Sequence, residues 1–443
     1  MTSLRRTFPK PCVLLRKPVF FLMLVLLPAA IATATEKKGA DRGRFLRSYW
    51  YERGIEHGNP FFNSRFRVNA PEAVLHPSFM HRSEVRGNGM MLILIEENLS
   101  LLAGAELYLE LWGGHPGTAN KRVTINGRTS YKIPEVGTEK KNCTHSYPTL
   151  PLKITDLVNG YNALQFACDQ GTTFWGHFIV DNACLRAVLK DDHPDLKKAG
   201  LADFGAAITV HPMIRDREVF PIELTVPSSM QNKIASVDFW SSCRSYDENG
   251  NGKFTDWHGF TKNRMPQAIL GTDSEAPFSI EWDVSMLPAQ DNVAVKAIVH
   301  LKDDPQITYE TPAVRGLSIP PRKESRVRLY TSKDLPSPFW SRASRKNECT
   351  IVIDEGPEQI ERAELHVVIW DGGRGKTRNP FTLNGHPLPV AGKGRHDVLY
   401  RKLNIDPSIL KRGPNRIILL SDTDHHGIEV LLPGPALAVR SSR

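Results

Sequence analysis

The chain is a succession of short apolar runs separated by turn residues. Met90–Ile95 is a continuous apolar segment of strand length, and Leu107–Trp112 alternates large apolar residues with charged ones at a period of two. Asn126-Gly127 indicates a hairpin turn, because both residues tolerate positive φ. No long segment shows the helical period. Short strands joined by turns rich in glycine and asparagine predict an all-β, multidomain protein built from β-sandwiches.

A second pattern is an internal repeat. The segment Ala105–Gly127 contains the run Leu111-Trp112-Gly113-Gly114, and it returns as Ala363–Gly385 with the run Ile369-Trp370-Asp371-Gly372. The repeat continues from Gly160-Tyr161-Asn162 to Gly413-Pro414-Asn415. We infer two copies of one domain on either side of a third segment. Strand-like runs spaced by turns, as in an immunoglobulin-like sandwich, fill that middle segment.

The two copies share an order of motifs that carries a resemblance. A strand and an Asn-Gly turn are followed by an acidic strand end, a Gly-x-Asn motif and another apolar strand. The first copy has Ile125-Asn126-Gly127, Ile154-Thr155-Asp156 and Gly160-Tyr161-Asn162. This order resembles the galactose-binding-like jelly-roll domains that serve as accessory domains of secreted carbohydrate-active proteins. The resemblance implies two jelly-roll β-sandwiches flanking an immunoglobulin-like β-sandwich, and a role connected with glycans.

The chain is expected to divide into five segments. The predicted segments are a signal peptide over 1–34, an N-terminal extension over 36–85 that packs on the first sandwich, jelly-roll copy one over 86–192, the immunoglobulin-like sandwich over 205–320, and jelly-roll copy two over 325–443.

The first segment has the features of an export signal. A basic stretch precedes the apolar run Val19–Leu27, and Ala32-Thr33-Ala34 has the form of a cleavage site. We expect a secreted or extracellular protein without a membrane span after signal cleavage. The net charge is +9, with basic and acidic residues interleaved along the chain. This distribution, without a recognition motif, argues against nucleic acid as a partner. It leaves open a solvated basic surface or attraction to an anionic polysaccharide.

The cysteines offer one candidate disulfide bond and no metal site. The five outside the signal have no C-x-x-C spacing, so a metal site made of cysteines is not expected. Cys143–Cys168 is the first candidate for a disulfide bond, because the second copy lacks both residues.

The loop after the repeated tryptophan is the first candidate binding site. A sugar needs an apolar platform beside rigid polar groups, and a tryptophan beside His, Asn, Asp, Arg or Lys offers both. The predicted ligand-binding residues are Trp112, His115, Asn120, Arg122, Trp370, Asp371, Arg374 and Lys376. The alternative is that each tryptophan fills its own sandwich. The loops differ between the copies, so at most one is expected to keep a ligand.

Two further segments could bind a metal. Ser421–His426 pairs carboxylates with histidines, where a polar loop is the alternative. The segment Asp247–His258 resembles the first half of a calcium loop, with oxygen-bearing residues at alternate positions and Gly252 at the tight turn. The predicted calcium ligands are Asp247, Asn249, Asn251 and Asp256. His258 occupies the position of the closing glutamate, so a polar hairpin turn is the alternative there.

No known catalytic motif is present, so three functions stay open. The first is a secreted, non-catalytic protein that binds a glycan or polysaccharide. The second is a carbohydrate-active enzyme, such as a glycan lyase, hydrolase or amidase, with an inter-domain site that includes Asp422, Asp424, His425 and Arg374. The third is a structural spacer or protein-interaction module without a small ligand, for which a cell-surface protein is the candidate partner.

Overall fold

The computed structural model describes residues 42–51, 66–68, 73–75, 88–113, 118–136, 143–169, 178–343, 345–394, 396–423 and 427–443. The predicted signal peptide and much of the predicted extension lie outside these residues. Strands make up 55% of the structure and helices 7%, which confirms the all-β, multidomain prediction. Within the described ranges, no helix is long and apolar enough to cross a membrane.

The first copy and the strand that precedes it contain strands β1 to β11. Their bounds are β1 (Arg44–Trp50), β2 (Phe66–Val68), β3 (Ala73–Leu75), β4 (Asn88–Ile95), β5 (Leu102–Trp112), β6 (Ala119–Ile125), β7 (Thr129–Lys132), β8 (His145–Ser146), β9 (Thr149–Leu152), β10 (Gly160–Asp169) and β11 (Phe178–Leu189).

The middle domain contains strands β12 to β22. Their bounds are β12 (Ala207–Val210), β13 (Val219–Thr225), β14 (Ile234–Arg244), β15 (Thr255–Trp257), β16 (Phe260–Lys262), β17 (Met265–Ala268), β18 (Gly271–Asp273), β19 (Ser279–Asp283), β20 (Gln290–Leu301), β21 (Ile307–Glu310) and β22 (Val314–Ile319).

The second copy contains strands β23 to β32. Their bounds are β23 (Ser325–Thr331), β24 (Trp340–Ser341), β25 (Arg345–Ile353), β26 (Ile360–Asp371), β27 (Phe381–Leu383), β28 (His386–Pro387), β29 (Asp397–Ile405), β30 (Gly413–Ser421), β31 (Ile428–Val430) and β32 (Ala436–Ser442). The helices are short: α1 (Pro194–Lys198) and the 3-10 turns Leu99–Leu101, Ile154–Asp156, Ser228–Lys233, Pro357–Gln359 and Pro407–Ile409.

One sheet is shared by the first copy and the middle domain. Its strands follow the order β15-β14-β20-β21-β1-β11-β5-β8, with β2, β9, β18 and β22 paired along its sides. The strand β1 makes the junction, because it pairs with β11 of the first copy on one edge and with β21 of the middle domain on the other. The sheet β3-β4-β10-β6-β7 completes the first sandwich, and β12-β13-β19 completes the middle one.

The second copy forms its own sandwich. A sheet in the order β23-β32-β26-β31-β24, with β29 beside β26, faces the sheet β25-β30-β27-β28. The strands that carry the repeated tryptophan correspond, since β5 and β26 begin at the equivalent residues Leu102 and Ile360, and β26 ends one residue after Trp370. A separate apolar core lies between the two sheets, with Leu365, Phe381 and Ile417 among its fully buried residues.

A third apolar cluster joins the domains. Trp112 and Cys143 of the first copy meet Tyr246 and Phe260 of the middle domain and Val368 of the second copy. The phenol of Tyr246 also donates a hydrogen bond of 2.7 Å to a carbonyl of the second copy. The first copy and the middle domain therefore cover the outer face of β26. Excluding water from these apolar side chains stabilises the contact.

The cysteines do not form the predicted disulfide. Cys143 and Cys168 are both buried thiols, and so are Cys184, Cys243 and Cys349. Cys143 lies in the cluster between the domains, whereas Cys168 lies in the core of the first sandwich. The prediction of a Cys143–Cys168 bond was therefore wrong, because the fold assigns the two thiols to different packing layers.

Candidate functional site

The shared sheet has two chemically different faces. Along β1, Phe45 and Tyr49 are buried in the sandwich core, whereas Arg44, Ser48 and Trp50 lie on the opposite face. The same division continues in the neighbouring strands, because successive side chains of a strand point to opposite faces. The outer face is the floor of a cleft of about 1320 Å³ that spans the first copy and the middle domain.

A row of ion pairs crosses this floor. The ammonium of Lys296 lies 3.2 Å from Glu310, and the guanidinium of Arg44 lies 3.3 Å from the other oxygen of Glu310. Arg44 also lies 3.1 Å from Glu106, which is 3.5 Å from Arg186. These residues belong to β20, β21, β1, β5 and β11, so the alternating charges run across the strands from one domain into the other.

Burial and neighbouring charges shift two of these groups. Burial lowers the pKa of Lys296, and the carboxylate of Glu310 only partly opposes it. Burial alone would raise the pKa of Glu310, but the cations Lys296 and Arg44 outweigh it and hold the pKa below its usual value. Glu310 is therefore an ionised carboxylate at neutral pH, suited to binding rather than to donating a proton.

Aromatic rings border the row of charges on the side of the middle domain. Lys296 lies 4.6 Å from the centre of the Trp257 ring, and Arg315 lies 6.0 Å from the same ring. Trp240 also lines the cleft, and its ring lies so close to Gly259 that a Cβ there would overlap it. Glycine at this position is thus required by close approach of the ring.

A second aromatic group lies on the side of the first copy. Trp50 and Tyr108 meet edge to face, with ring centres 5.9 Å apart. The guanidinium of Arg264 lies 4.6 Å from the Trp50 ring, and that of Arg186 lies 4.2 Å from the Tyr108 ring. Aromatic rings and planar cations are thus interleaved along the floor, as expected of a surface that binds polar ligands with flat apolar faces.

A histidine and a carboxylate form a pair in the same cleft. His300 Nε2 lies 2.8 Å from one oxygen of Asp238, and Thr272 donates a hydrogen bond of 2.6 Å to the other. The carboxylate is nearly buried, whereas 38% of the His300 side chain is exposed. An aspartate that fixes an accessible imidazole is an arrangement able to move a proton.

The predicted calcium loop lies at the edge of the cleft. One oxygen of Asp247 accepts a hydrogen bond of 3.1 Å from the amide of Asn251, and the other accepts one of 2.7 Å from Gly252. The side-chain amides of Asn249 and Asn251 donate to Asp256. Burial raises the pKa of Asp247 to about 7. These bonds hold the turn that leads into β15 and its Trp257. In the part of the chain that the structure describes, no cluster of His, Cys, Asp or Glu is arranged to hold a metal.

The predicted platform Trp112 is largely enclosed. It is 8% exposed and packs in the cluster between the domains. Its neighbours in the predicted site are engaged with Asp169: the amide of Asn120 donates to one carboxylate oxygen, and Arg122 lies 3.2 Å from the other. His115 lies outside the described residues. The burial of Trp112 argues against sugar stacking on its ring, since a platform must be open to the ligand.

The equivalent site of the second copy is partly covered. Trp370 is half-buried and stacks on His396, with ring centres 5.5 Å apart and planes 9° apart. Asp371 is 1% exposed and accepts a hydrogen bond of 2.8 Å from the amide of Gly394. Asp371 therefore holds the neighbouring loop in place.

The remaining predicted residues of this loop are exposed. Arg374 and Lys376 face solvent, and the amide of Lys376 donates a hydrogen bond of 2.6 Å to Asp422. The structure thus brings Arg374, Lys376 and Asp422 together at one end of the second sandwich. Asp424, His425 and His426 lie outside the described residues.

Most residues of the cleft were not identified from the sequence. Glu106 and Tyr108 occupy alternate positions of β5, of which the sequence predicted only Leu107–Trp112, and such positions are ordinarily the solvated face of a sandwich. The signal that could have identified them is the density of Trp, Tyr, Arg and Glu at alternate positions of strands far apart in the chain. Only the pairing of β1 with both domains makes these faces continuous.

Comparisons with known proteins find only distant structural similarity. No family model matches the chain, and no curated protein matches it. Among solved structures, a beta-porphyranase of glycoside hydrolase family 86 from the human gut bacterium Bacteroides plebeius is similar at 15% identity and a TM-score of 0.23, covering 53% of this chain and 36% of the other. The Spr0440 glycoside hydrolase domain, Endo-D from Streptococcus pneumoniae R6, is similar at 8% identity and a TM-score of 0.24, covering 58% and 33%. This chain thus spans about a third of the length of those structures, and the similarity is too distant to transfer a function.

Proposed function

We propose that the protein is a secreted, non-catalytic carbohydrate-binding protein and that the cleft on the shared sheet is its glycan-binding site. The observation that carries this proposal is the floor of interleaved aromatic and charged side chains, including Trp257, Tyr108 and Arg44. Sugars present flat C–H faces and many hydroxyl groups, so they bind where rings and planar hydrogen-bonding groups alternate on a rigid support. The β-strands beneath the cleft supply that support.

The shape of the floor favours a chain of sugars over a single sugar. The row of ion pairs begins at Lys296 in β20 and ends at Glu106 in β5, and it crosses the strands β21, β1 and β11 between them. With a spacing of about 4.8 Å between strands, the row extends over about 19 Å. A ligand that uses both Trp257 and the Trp50–Tyr108 group must therefore be extended. We infer an oligosaccharide segment of a polymer, as found on cell surfaces and in extracellular material.

The second jelly roll has a supporting part in this proposal. Its outer face packs on Tyr246 and Phe260 of the middle domain. Residues next to Phe260 in the chain, Gly259 and Thr261, line the cleft. The resemblance to galactose-binding-like domains agrees with a glycan ligand, but fold alone does not fix one. The cleft, rather than either tryptophan loop, is the site that we assign to the ligand.

A glycan array screened with the full chain tests the proposal. We expect binding to one class of polysaccharide, and we expect Trp257→Ala to abolish it without loss of the folded state measured by circular dichroism. Trp370→Ala is the matched control, because this tryptophan lies in the second copy and outside the cleft. Loss of binding in Trp370→Ala alone would move the site to the second copy. Binding to no glycan would reject the proposal and favour a protein partner.

A catalytic role is the second candidate, and the pair Asp238–His300 is the observation in its favour. The carboxylate holds Nε2, which leaves Nδ1 of the exposed ring to accept or donate a proton. An enzyme would release new chain ends from a bound polysaccharide, and His300→Asn would stop that release while leaving binding intact. If the wild-type protein binds a glycan without cleaving it, the non-catalytic function stands.

A further inference from the structure

Two guanidinium groups of the cleft, those of Arg44 and Arg186, are more accessible than the carboxylates that pair with them. The side chain of Arg44 is 40% exposed, whereas its partners Glu106 and Glu310 are 11% and 20% exposed. Arg186 is 25% exposed beside the same Glu106. A ligand that lies over β1 and β11 therefore meets these two guanidinium groups before it reaches Glu106 and Glu310.

Arg44 keeps hydrogen-bonding capacity for a ligand. A guanidinium carries five N–H donors in one plane. Among the described residues, three of these donors reach Glu106 and Glu310, which leaves two. The planar fork of arginine matches the paired oxygens of a carboxylate or a sulfate better than it matches single hydroxyl groups. Arg44 also stands at the centre of the row, where β1 joins the two domains.

The aromatic rings of the cleft are accompanied by cations as well. Trp257 has Lys296 and the exposed Arg315 beside it, and Trp50 has Arg264. A sugar ring placed near either tryptophan would therefore bring its substituents next to a positive charge. Neutral hydroxyl groups gain little from this arrangement, whereas anionic substituents gain a charge-assisted bond.

We propose that the glycan is acidic, carrying carboxylate or sulfate groups, and that Arg44 is the residue that pairs with its anionic groups. This inference rests on the proposed function, because it names the ligand class of the same cleft. The net charge of +9 gives the whole molecule a general attraction to anionic polymers, and the inference places the specific binding of one in the cleft. Arg44 then determines specificity, while Trp257 supplies apolar contact.

Titration calorimetry with the full chain tests the inference. The probes are polygalacturonate for carboxylates, dextran sulfate for sulfate esters, and dextran and hydroxyethyl cellulose as neutral polymers. We expect one acidic polymer to bind and the neutral ones not to bind. We expect Arg44→Gln to weaken that binding by about tenfold, the loss typical of one charge-assisted hydrogen bond, and to reduce its dependence on salt.

Two variants keep the result interpretable. Arg315→Gln removes an exposed cation beside Trp257, at the border of the cleft, so it reports on the Trp257 end of the site even if Arg44→Gln is unstable. Arg217→Gln is the matched control, because it makes the same charge change at an ion pair with Glu281 outside the cleft. Equal weakening by Arg217→Gln and by both cleft variants would mean general attraction to a basic protein and would overturn the inference.

The remaining outcomes separate the two proposals. Binding of a neutral polymer with the same affinity at low and high salt would overturn the acidic ligand but keep the glycan-binding cleft. Binding of none of the polymers, together with a negative array, would overturn both. A preference for polygalacturonate or for dextran sulfate identifies whether Arg44 binds a carboxylate or a sulfate group.

Discussion

The side-chain amide of Asn126 donates a hydrogen bond of 2.8 Å to the amide oxygen of Asn162, at the point where the Asn-Gly turn meets the Gly-x-Asn motif. Asn384 and Asn415 form the same bond at 2.8 Å in the second copy. Both Asn162 and Asn415 are fully buried, and each also binds backbone groups of its own turn. The motifs that carry the family resemblance therefore join two strands of each sandwich, and their role is structural.

Loss of this asparagine pair should destabilise the second sandwich. Asn415→Ala removes the acceptor of the Lys411 backbone amide and of one N–H of the Asn384 side chain, whose other N–H still donates to the carbonyl of Ile409. We expect a loss of about 3 kcal/mol in the free energy of unfolding, since each buried group left unsatisfied costs about 1–3 kcal/mol. Urea denaturation measures it. Asn379→Ala, at an exposed asparagine of the same copy, should change stability by less than about 0.5 kcal/mol. Similar stability of both variants would contradict the structural role.

Removal of Tyr246 should loosen the second copy from the rest of the molecule. Its ring stacks on His366 and on Tyr400, and its hydroxyl binds the carbonyl of Gly434. Tyr246→Ala is expected to cost about 4 kcal/mol, as for other buried aromatic residues, and to split thermal unfolding into two transitions. Differential scanning calorimetry detects the split. Tyr161→Ala, at a tyrosine that is 66% exposed, should leave a single transition.

The buried carboxyl of Glu429 should make stability depend on pH. Burial raises its pKa from 4.5 to about 7, although a hydrogen bond with the thiol of Cys143 partly opposes the shift. The pKa is higher in the folded state than in the unfolded state, so the folded state binds the proton more tightly. Its contribution to stability is therefore fully present below pH 4.5 and is lost as the pH rises through 7.

Glu429→Gln should remove this part of the pH dependence. At pH 8 we expect the variant to be more stable than the wild type by up to about 3 kcal/mol, at 1.36 kcal/mol for each unit of pKa. Chemical denaturation at several pH values measures the difference. Asp247, whose pKa burial also raises to about 7, keeps part of the slope in the variant. An unchanged profile would mean that the pKa of Glu429 is the same in the folded and unfolded states.

Calcium dependence is the test of the Asp247 loop. The calcium prediction requires that millimolar calcium raise the melting temperature of the wild type and that Asp247→Asn remove the increase. The physical reason is that a cation would neutralise the buried carboxylate, whose raised pKa reflects the cost of its charge. A chelator should reverse the effect. If calcium shifts neither protein, the loop is a turn held by the hydrogen bonds of Asp247 to Asn251 and Gly252.

The repeat and the strands were predictable because they depend on local sequence. Alternating and continuous apolar runs predicted β5 and β4, and the Asn-Gly turn predicted the bend at Asn126, whose φ is 50°. The tryptophan loops were predicted as a binding site from local sequence as well, because polar residues follow each tryptophan closely in the chain. The sequence could not show that Trp112 is buried by other domains, since Tyr246, Phe260 and Val368 of its cluster lie more than a hundred positions away.

Tertiary structure alone decided what the outer face of each repeat does. Glu106 and Glu364 occupy equivalent positions of β5 and β26, yet Glu106 lines the cleft with 11% of its side chain exposed, whereas the Glu364 side chain is 1% exposed. The difference arises because β1 extends the first sheet into the middle domain, while the second sheet is packed against its neighbours. Local sequence determined the strands, their turns and the duplicated sandwich. The pairing of strands from distant segments determined which face is open, because a strand pattern carries no information about its partner in space.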